Sequence, residues 1–186
     1  MPRVGEIFTI GHSTHPAERF VGFLRRWRVG LLCDVRRYPG SRRHPQFNVD
    51  ALVAALERAG IGYEPLGREL GGRRRPRRGS PNEGWRVAGF RGYADHMGSA
   101  EFETGRERLE ALARDRRTAI MCAEGNWRRC HRQLIADALT VHDWHVLHIT
   151  PDGRLEEHAL TPFAVVSGTR LAYPPPGEST MQIRFP

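Results

Sequence analysis

Short apolar runs alternate along the chain with stretches in which apolar residues recur at three- and four-residue spacing. The runs are rich in β-branched or aliphatic residues, which predicts β-strands, and the spaced pattern predicts amphipathic helices. The predicted strands are Glu6–Gly11, Val29–Arg36, Ile61–Leu66, Thr118–Glu124 and Trp144–Thr150. The predicted helices are a segment opened by Pro16, then Ala51–Ala59, Ser99–Arg114 and about Trp127–His142. This alternation predicts a three-layer α/β fold, with a mainly parallel sheet and helices on both faces.

The same pattern predicts a single α/β domain over residues 1–160. Within it, residues 67–92 are rich in arginine and glycine and show no periodicity. This segment exceeds the length of ordinary connections, which predicts a functional or a disordered loop. Residues 161–186 end in a proline-rich sequence and are expected to form a tail on the surface.

The composition of the 186 residues, 39% hydrophobic and 27% charged, is typical of a soluble globular chain. No apolar run approaches the ~18 residues of a membrane span, so no membrane partner is expected. The first residues lack the apolar core of a secretory signal, which favours the cytoplasm. The three cysteines are odd in number and widely spaced, and they are therefore expected to be thiols rather than a disulfide framework.

All 29 basic residues are arginine, and the formal net charge is +8. A chain without lysine has no lysine amine for a Schiff base, which excludes that class of enzyme. GC-rich codon usage is one interpretation of the arginine content. The other is that a guanidinium suits phosphate, which makes an anionic small molecule or a nucleic acid the expected partner. Arg73–Arg78, with Trp85 and Phe90 beyond it, can hold a nucleic-acid backbone and stack bases, or form a solvated loop.

Polar residues follow the predicted strands at the points where the strands stop. The chain reads GHSTH after the first strand, DVRRYPGSRRH at the second, LGRELGGRRR after the third and CAEGNWRRCHR at the fourth. Ligands of open parallel sheets bind beyond the carboxyl ends of the strands. We therefore expect one functional site at this edge of the sheet.

Cys122 ends the fourth predicted strand and precedes a glycine turn and a helix. Unpaired N–H groups at the start of that helix can stabilise a thiolate or a bound anion. With Gly125 and Arg128, Cys122 also matches the C-x-x-G-x-x-R pattern of cysteine-dependent phosphatases, although an arginine-rich chain produces such spacing by chance. Cys122 is therefore either a nucleophilic thiol or a buried cysteine with no role in a reaction.

Cys130 is predicted in the first turn of the next helix, beside His131 and among arginines. It is a second candidate nucleophile, and also a residue with which Cys122 can form a disulfide. The eight-residue spacing of the two cysteines differs from that of structural zinc sites, so no metal or other cofactor is expected. A four-ligand site that adds His12, His131 or His158 is an alternative.

Three more residues at this edge carry candidate chemistry. His12 is either a general base or a histidine hydrogen-bonded in a turn. Asp34 and Arg36 alternate at a strand end and therefore point the same way. They form either a structural ion pair or a pair of groups that face the substrate. Asp95 is a further candidate, as a mobile general acid.

Several segments together carry a resemblance to a known family. They are GHSTHPAERFVGFL, CDVRRYPGSRRHPQFN, LGRELGGRRR, FRGYADHM, CAE, CHR and HIT, in order from about Ile7 to about Ile149. The chain resembles the domain of unknown function 488 family, which implies a cytoplasmic single-domain α/β protein and no established reaction. The matching residues are Gly11, His12, Ser13, Asp34, Arg36, Pro39, Ser41, Gly71, Tyr93, Cys122, Glu124, Cys130, His131 and Arg132. The pattern does not require Gly125 or Arg128, so the resemblance shifts the emphasis to Cys-Ala-Glu and Cys-His-Arg.

We hypothesise a cysteine-dependent transferase or hydrolase that acts on a phosphorylated or otherwise anionic substrate; a dinucleotide glycine fingerprint is absent. The candidate catalytic residues are Cys122, Glu124, Cys130, His131, His12 and Asp34. The candidate substrate-binding residues are Ser13, Arg36, Ser41, Arg128 and Arg132. One alternative is a nucleic-acid-binding protein with a structural or metal-binding Cys/His cluster. Another is a thiol redox sensor with a reversible disulfide between the two cysteines.

Overall fold

A six-stranded sheet lies at the centre of the computed structural model, which describes residues 5–177. Its strand order is β3-β2-β4-β1-β5-β6; the first five strands in this order are parallel, and β6 runs antiparallel to β5. The strands are β1 (Gly5–Gly11), β2 (Leu31–Asp34), β3 (Gly62–Pro65), β4 (Thr118–Cys122), β5 (Trp144–Ile149) and β6 (Leu155–Glu157). All five predicted strands are therefore present in this part of the chain.

Helices cover both faces of this sheet. They are α1 (Ala17–Arg26), α2 (Val49–Arg58), α3 (Gly67–Leu70), α4 (Ala88–Met97), α5 (Ala100–Asp115) and α6 (Arg132–Val141), with 3₁₀ turns at Pro45–Phe47 and Trp127–Arg129. Side chains alternate along β1, so Ile7 packs into a core shared with α4, α5 and α6, while Phe8 and Ile10 pack against α1 and α2. The predicted α/β fold, mainly parallel with helices on both faces, is confirmed.

The long connection between β3 and α4 is packed against the domain. Its first residues form α3, and α4 already begins at Ala88, inside the segment predicted to be a loop. The carboxylate of Asp95 accepts from Ser80 Oγ at 2.6 Å and from Asn82 Nδ2 at 2.9 Å. Asp95, considered above as a mobile acid, therefore holds this connection in place.

The chain after β6 returns to the body of the domain. Two short antiparallel strands, β7 (Val165–Ser167) and β8 (Arg170–Ala172), form a hairpin. Tyr173 follows it and is buried, with its hydroxyl donating to Asp137 of α6 at 2.8 Å. The first part of the segment predicted as a surface tail thus contributes to the core, and residues 178–186 lie outside the described part. Within residues 5–177, no helix combines the length and apolar character needed to cross a bilayer.

Candidate functional site

The carboxyl edge of the sheet opens into a cleft of about 680 Å³. Its walls come from the loops after β1, β2 and β4 and from the connection that leads to α4. Seven of the residues predicted from the sequence line it: His12, Ser13, Arg36, Cys122, Glu124, Cys130 and His131. Asp34, Ser41, Arg128 and Arg132 do not line it.

The loops after β1 and β4 are joined by main-chain hydrogen bonds. His12 N–H donates to the carbonyl of Cys122 and Ser13 N–H to that of Ala123, each at 2.9 Å. A Cβ atom on Gly11 would lie 1.9 Å from the carbonyl oxygen of Glu124, so only glycine allows the two loops to approach this closely. The sequences GHS and CAE therefore form one rigid side of the site.

Cys130 occupies an extended residue between a 3₁₀ turn and α6, with φ −129° and ψ 149°. The prediction of a continuous helix from about Trp127, with Cys130 in its first turn, is wrong. The helix starts only at Arg132, because Trp127–Arg129 closes as a 3₁₀ turn first. This break turns the Cys130 sulfur toward β4 and toward the imidazole of His131, whose Nδ1 lies 3.6 Å away.

His131 places its Nδ1 beside both cysteine sulfurs. Its Nε2 lies 3.1 Å from the carbonyl oxygen of Val35, and since a carbonyl only accepts, Nε2 carries the proton. In the neutral ring, Nδ1 then has a lone pair, which faces Cys130 Sγ at 3.6 Å and Cys122 Sγ at 3.8 Å. A Cβ atom on Gly72 would lie 2.9 Å from this nitrogen, so glycine keeps the space beside it open.

Arg132 is fully buried beneath the cleft. Its Nε donates to Cys130 Sγ at 3.4 Å, and its two terminal nitrogens donate to Thr9 Oγ1 at 3.3 Å and to the carbonyl of Glu124. Among the ion pairs formed by residues 5–177, none involves Arg132. A buried cation requires a counter-charge, and the Cys130 sulfur is placed to supply it.

The two cysteines have opposite protonation preferences. Burial works against a Cys130 thiolate, but the hydrogen bond from Cys122 and the nearby Arg132 guanidinium hold the pKa of Cys130 well below its ordinary value. The hydrogen bond to Cys130, together with burial, raises the pKa of Cys122. This arrangement favours a thiolate at Cys130 and a thiol at Cys122, whereas the sequence favoured Cys122 as the nucleophile.

A buried hydrogen-bond chain continues from Arg132 into the core. Thr9 Oγ1 lies 2.7 Å from His148 Nδ1, His148 Nε2 lies 3.0 Å from His158 Nδ1, and His158 Nε2 lies 2.8 Å from Asp137 Oδ1. With each imidazole protonated on Nε2, every donor in the chain points toward the carboxylate. His158, weighed above as a metal ligand, is thus engaged in this chain, which links the buried cation to a buried anion.

Acid should destabilise the fold through His148. Burial, followed by the charges of His158, Arg132 and Arg128, lowers the pKa of His148 from 6.5 to about 2. Below about pH 6.5 the unfolded state therefore binds a proton at His148 that the folded state does not bind. This difference lowers the free energy of unfolding by up to about 1.4 kcal/mol for each unit by which the pH falls. Urea unfolding between about pH 6.5 and pH 4 measures the slope. His148→Gln should reduce it by about that amount, and an unchanged slope would contradict the assignment.

His12 is a neutral acceptor in the lining of the cleft. Its ring stacks on Phe47 with centroids 4.2 Å apart, and its Nδ1 lies 2.9 Å from the carbonyl oxygen of Ser13, so Nδ1 carries the proton. Burial lowers the pKa of His12 to about 4. Near neutral pH the imidazole therefore keeps a lone pair on Nε2, which is what a general base requires.

Asp34 and Arg36 form a buried ion pair with a terminal nitrogen 2.6 Å from Oδ2. The Arg36 guanidinium also donates to the carbonyl of Phe47 at 2.8 Å, and Tyr63 donates its hydroxyl to Asp34 at 2.9 Å. The pair therefore anchors the loop that follows β2. Arg36 lines the cleft, while Asp34 lies beneath it and is saturated by these donors.

Ser41 and Arg128 do not line the cleft, and each is engaged by another residue. Ser41 Oγ accepts from His44 N at 3.1 Å and so stabilises a turn. The Arg128 guanidinium pairs with Glu156 and lies 4.1 Å from the ring of Trp127. The arginine of the C-x-x-G-x-x-R pattern thus has a carboxylate partner and does not complete an anion-binding loop around Cys122.

Two arginines that the sequence did not single out, Arg37 and Arg129, also line the cleft, together with Arg73 of the Arg73–Arg78 run. None of them takes part in an ion pair among residues 5–177. The aromatic side chains Tyr38 and His44 lie beside them. Arg37 and Arg129 follow strand ends in the sequence, but a chain so rich in arginine gives no signal that separates them from the other arginines.

Comparison with known proteins shows the family. No curated protein and no solved structure gives a significant match. The family profile described as domain of unknown function DUF488 matches residues 16–139, about two thirds of the chain and most of the helices and strands described above. The resemblance that the sequence motifs carried is thereby confirmed, and the chain belongs to the DUF488 family.

Proposed function

We propose that the protein is a thiol-dependent transferase or hydrolase in which the Cys130 thiolate attacks an anionic substrate bound in the cleft. The burial of Arg132 carries this proposal, because its guanidinium forms no ion pair among the described residues and donates to the Cys130 sulfur. An uncompensated buried charge is strongly destabilising, and a thiolate 3.4 Å from Nε compensates it. A thiolate is also the reactive form of cysteine.

The lining of the cleft supports an anionic substrate. Four arginines line the cleft. Among residues 5–177, Arg36 pairs with the carboxylate of Asp34, and the other three arginines form no ion pair. Glu124 is the acidic residue of the lining. A guanidinium without a carboxylate partner is free to pair with phosphate or carboxylate, which it binds through two parallel hydrogen bonds. Phosphorylated small molecules therefore suit this cleft.

The remaining groups suit the proton transfers of such a reaction. The Cys130 sulfur forms a bond to the electrophilic atom, the bond to the leaving oxygen breaks with its electron pair, and the Cys122 thiol gives that oxygen its proton. In the second step His12 Nε2 accepts a proton from water, or from an acceptor hydroxyl, as the oxygen of that group displaces Cys130. The thiolate is regenerated, and the proton on His12 returns to Cys122 through the solvent of the cleft.

Alkylation of the reduced, metal-free protein with iodoacetamide tests this assignment. Trypsin separates the three cysteines, since Cys122 falls in Thr118–Arg128, Cys130 in Cys130–Arg132 and Cys33 in Val29–Arg36. We expect Cys130 to react first at about pH 7, at least about 10-fold faster than Cys122, because one pKa unit changes the thiolate fraction about tenfold.

Cys33 is an internal control for this measurement. It is fully buried, and burial raises its pKa to about 12, so it should react last. Inorganic phosphate in the cleft should slow the reaction of Cys130 without changing that of a free thiol in the same tube. Faster labelling of Cys122, or labelling of Cys130 at the rate of an unperturbed thiol, would overturn the proposal.

The other two hypotheses stay predictions. Binding of a nucleic acid by the exposed arginines of the connection before α4 would weaken steeply with salt and persist in Cys130→Ser. A redox sensor would form a Cys122–Cys130 disulfide under mild peroxide, which mass spectrometry of the two tryptic peptides detects.

A further inference from the structure

Three potential metal ligands meet on the floor of the cleft. The sulfurs of Cys122 and Cys130 and Nδ1 of His131 all lie within 4.8 Å of one another. The two sulfur-to-nitrogen distances are 3.8 and 3.6 Å. With bonds of ~2.3 Å to sulfur and ~2.0 Å to nitrogen, a tetrahedral zinc ion places such ligands about 3.5 Å apart. The two sulfur-to-nitrogen distances are therefore close to those that such an ion requires.

The ligands are also oriented as a metal site requires. A metal-bound imidazole commonly donates its other N–H to a carbonyl, which fixes the ring and the tautomer, and His131 Nε2 does so toward Val35. Arg132 donates to Cys130 Sγ at 3.4 Å and so holds that side chain in position. Two sulfurs and one imidazole form a soft donor set that favours zinc over magnesium or calcium.

The fourth corner of the tetrahedron faces the cleft. Cys122, Cys130 and His131 all line it, and the grouping among the described residues includes no fourth histidine, cysteine or carboxylate. The glycine at position 72 keeps the space beside His131 Nδ1 open. Three protein ligands with an open position distinguish sites that bind water or substrate from closed structural sites.

We propose that Cys122, Cys130 and His131 form a binding site for one thiophilic divalent cation of the zinc class, with its fourth position open to the cleft. The site does not depend on the proposed thiol reaction. Where that reaction takes place, the bound ion occupies the sulfur lone pairs and blocks it, so metal binding is a means of inhibition.

Titration of the reduced, metal-free protein with cobalt(II) tests the site. We expect one equivalent to give the ligand-field bands of tetrahedral cobalt and a thiolate-to-cobalt charge-transfer band, both of which zinc displaces one for one. Cys122→Ser and His131→Ala should each weaken binding at least about 10-fold. His142→Gln, a change at the end of α6 outside the group, should bind as the parent does.

A spectrum without the charge-transfer band, or equal cobalt binding by Cys122→Ser and the parent, would overturn the metal site. Circular dichroism establishes that each variant is folded, and zinc protection of the Cys122 and Cys130 peptides from iodoacetamide provides a second readout in the unmodified chain. Slow alkylation of metal-free Cys130 together with the cobalt bands would refute the thiol reaction alone. Fast alkylation without cobalt binding would refute the metal site alone.

Discussion

Replacing Arg132 by methionine will slow the reaction of Cys130 with iodoacetamide at about pH 7 by at least about 10-fold. The guanidinium donates to the Cys130 sulfur and forms no ion pair among the described residues. Without it, the thiolate loses a buried positive charge at 3.4 Å, and burial then favours the thiol. Once the pKa of Cys130 lies above the pH of the assay, each further unit lowers the thiolate fraction about tenfold.

Arg132→Lys separates charge from shape in this experiment. Lysine and methionine both lose the bonds that the guanidinium makes to Thr9 and Glu124, so the two variants should lose similar stability. Lysine keeps a positive charge near the sulfur, and Cys130 should therefore stay within a few-fold of the parent rate. Equal rates in the two variants would show that charge at position 132 does not activate Cys130.

Arg128→Met is the matched control. This variant also replaces an arginine by methionine, but four residues earlier, where the side chain is 56% exposed and pairs with Glu156. Exposed ion pairs contribute little, about 0–1 kcal/mol, and this one lies outside the cleft lining. The alkylation rate of Cys130 should be unchanged.

The fold was predictable because its signals are local. β1 and β4 carry near-continuous apolar residues, as strands covered on both faces must, and the helices show their periodicity directly. Strand order was not predictable in this way, since it depends on packing between distant segments. The edge strand β6, with the sequence LEE, has one apolar residue and no local signal.

The members of the site were predictable, but their roles depend on details that spacing does not contain. Cys130 was expected in a helix, and the 3₁₀ turn that precedes it changes both its backbone and its partners. Arg132 is one of 29 arginines, and its complete burial is a property of the folded chain. The contact between Thr9 and His148 spans 139 residues, so no sequence window could reveal it.

Removing the carboxylate of Asp137 should be the most destabilising single change near the site. Asp137 is fully buried and accepts from three donors: His158 Nε2 at 2.8 Å, the Thr161 N–H at 3.0 Å and the Tyr173 hydroxyl at 2.8 Å. In Asp137→Ala all three donors lose their acceptor away from water, and each unsatisfied group costs about 1–3 kcal/mol. We expect the free energy of unfolding to fall by about 3–5 kcal/mol.

Urea unfolding near pH 7 measures this loss, with two variants for comparison. Asp115→Ala removes an exposed carboxylate at the end of α5 and should change stability by less than about 0.5 kcal/mol. Tyr173→Phe removes one of the three donors together with its bond and should cost about 1 kcal/mol. A loss in Asp137→Ala no larger than that in Tyr173→Phe would contradict the buried network.

Because the hydrogen-bond chain from Asp137 ends at Arg132, a folded Asp137→Ala protein should also show slower alkylation of Cys130, since Thr9 and His148 no longer hold the guanidinium in position.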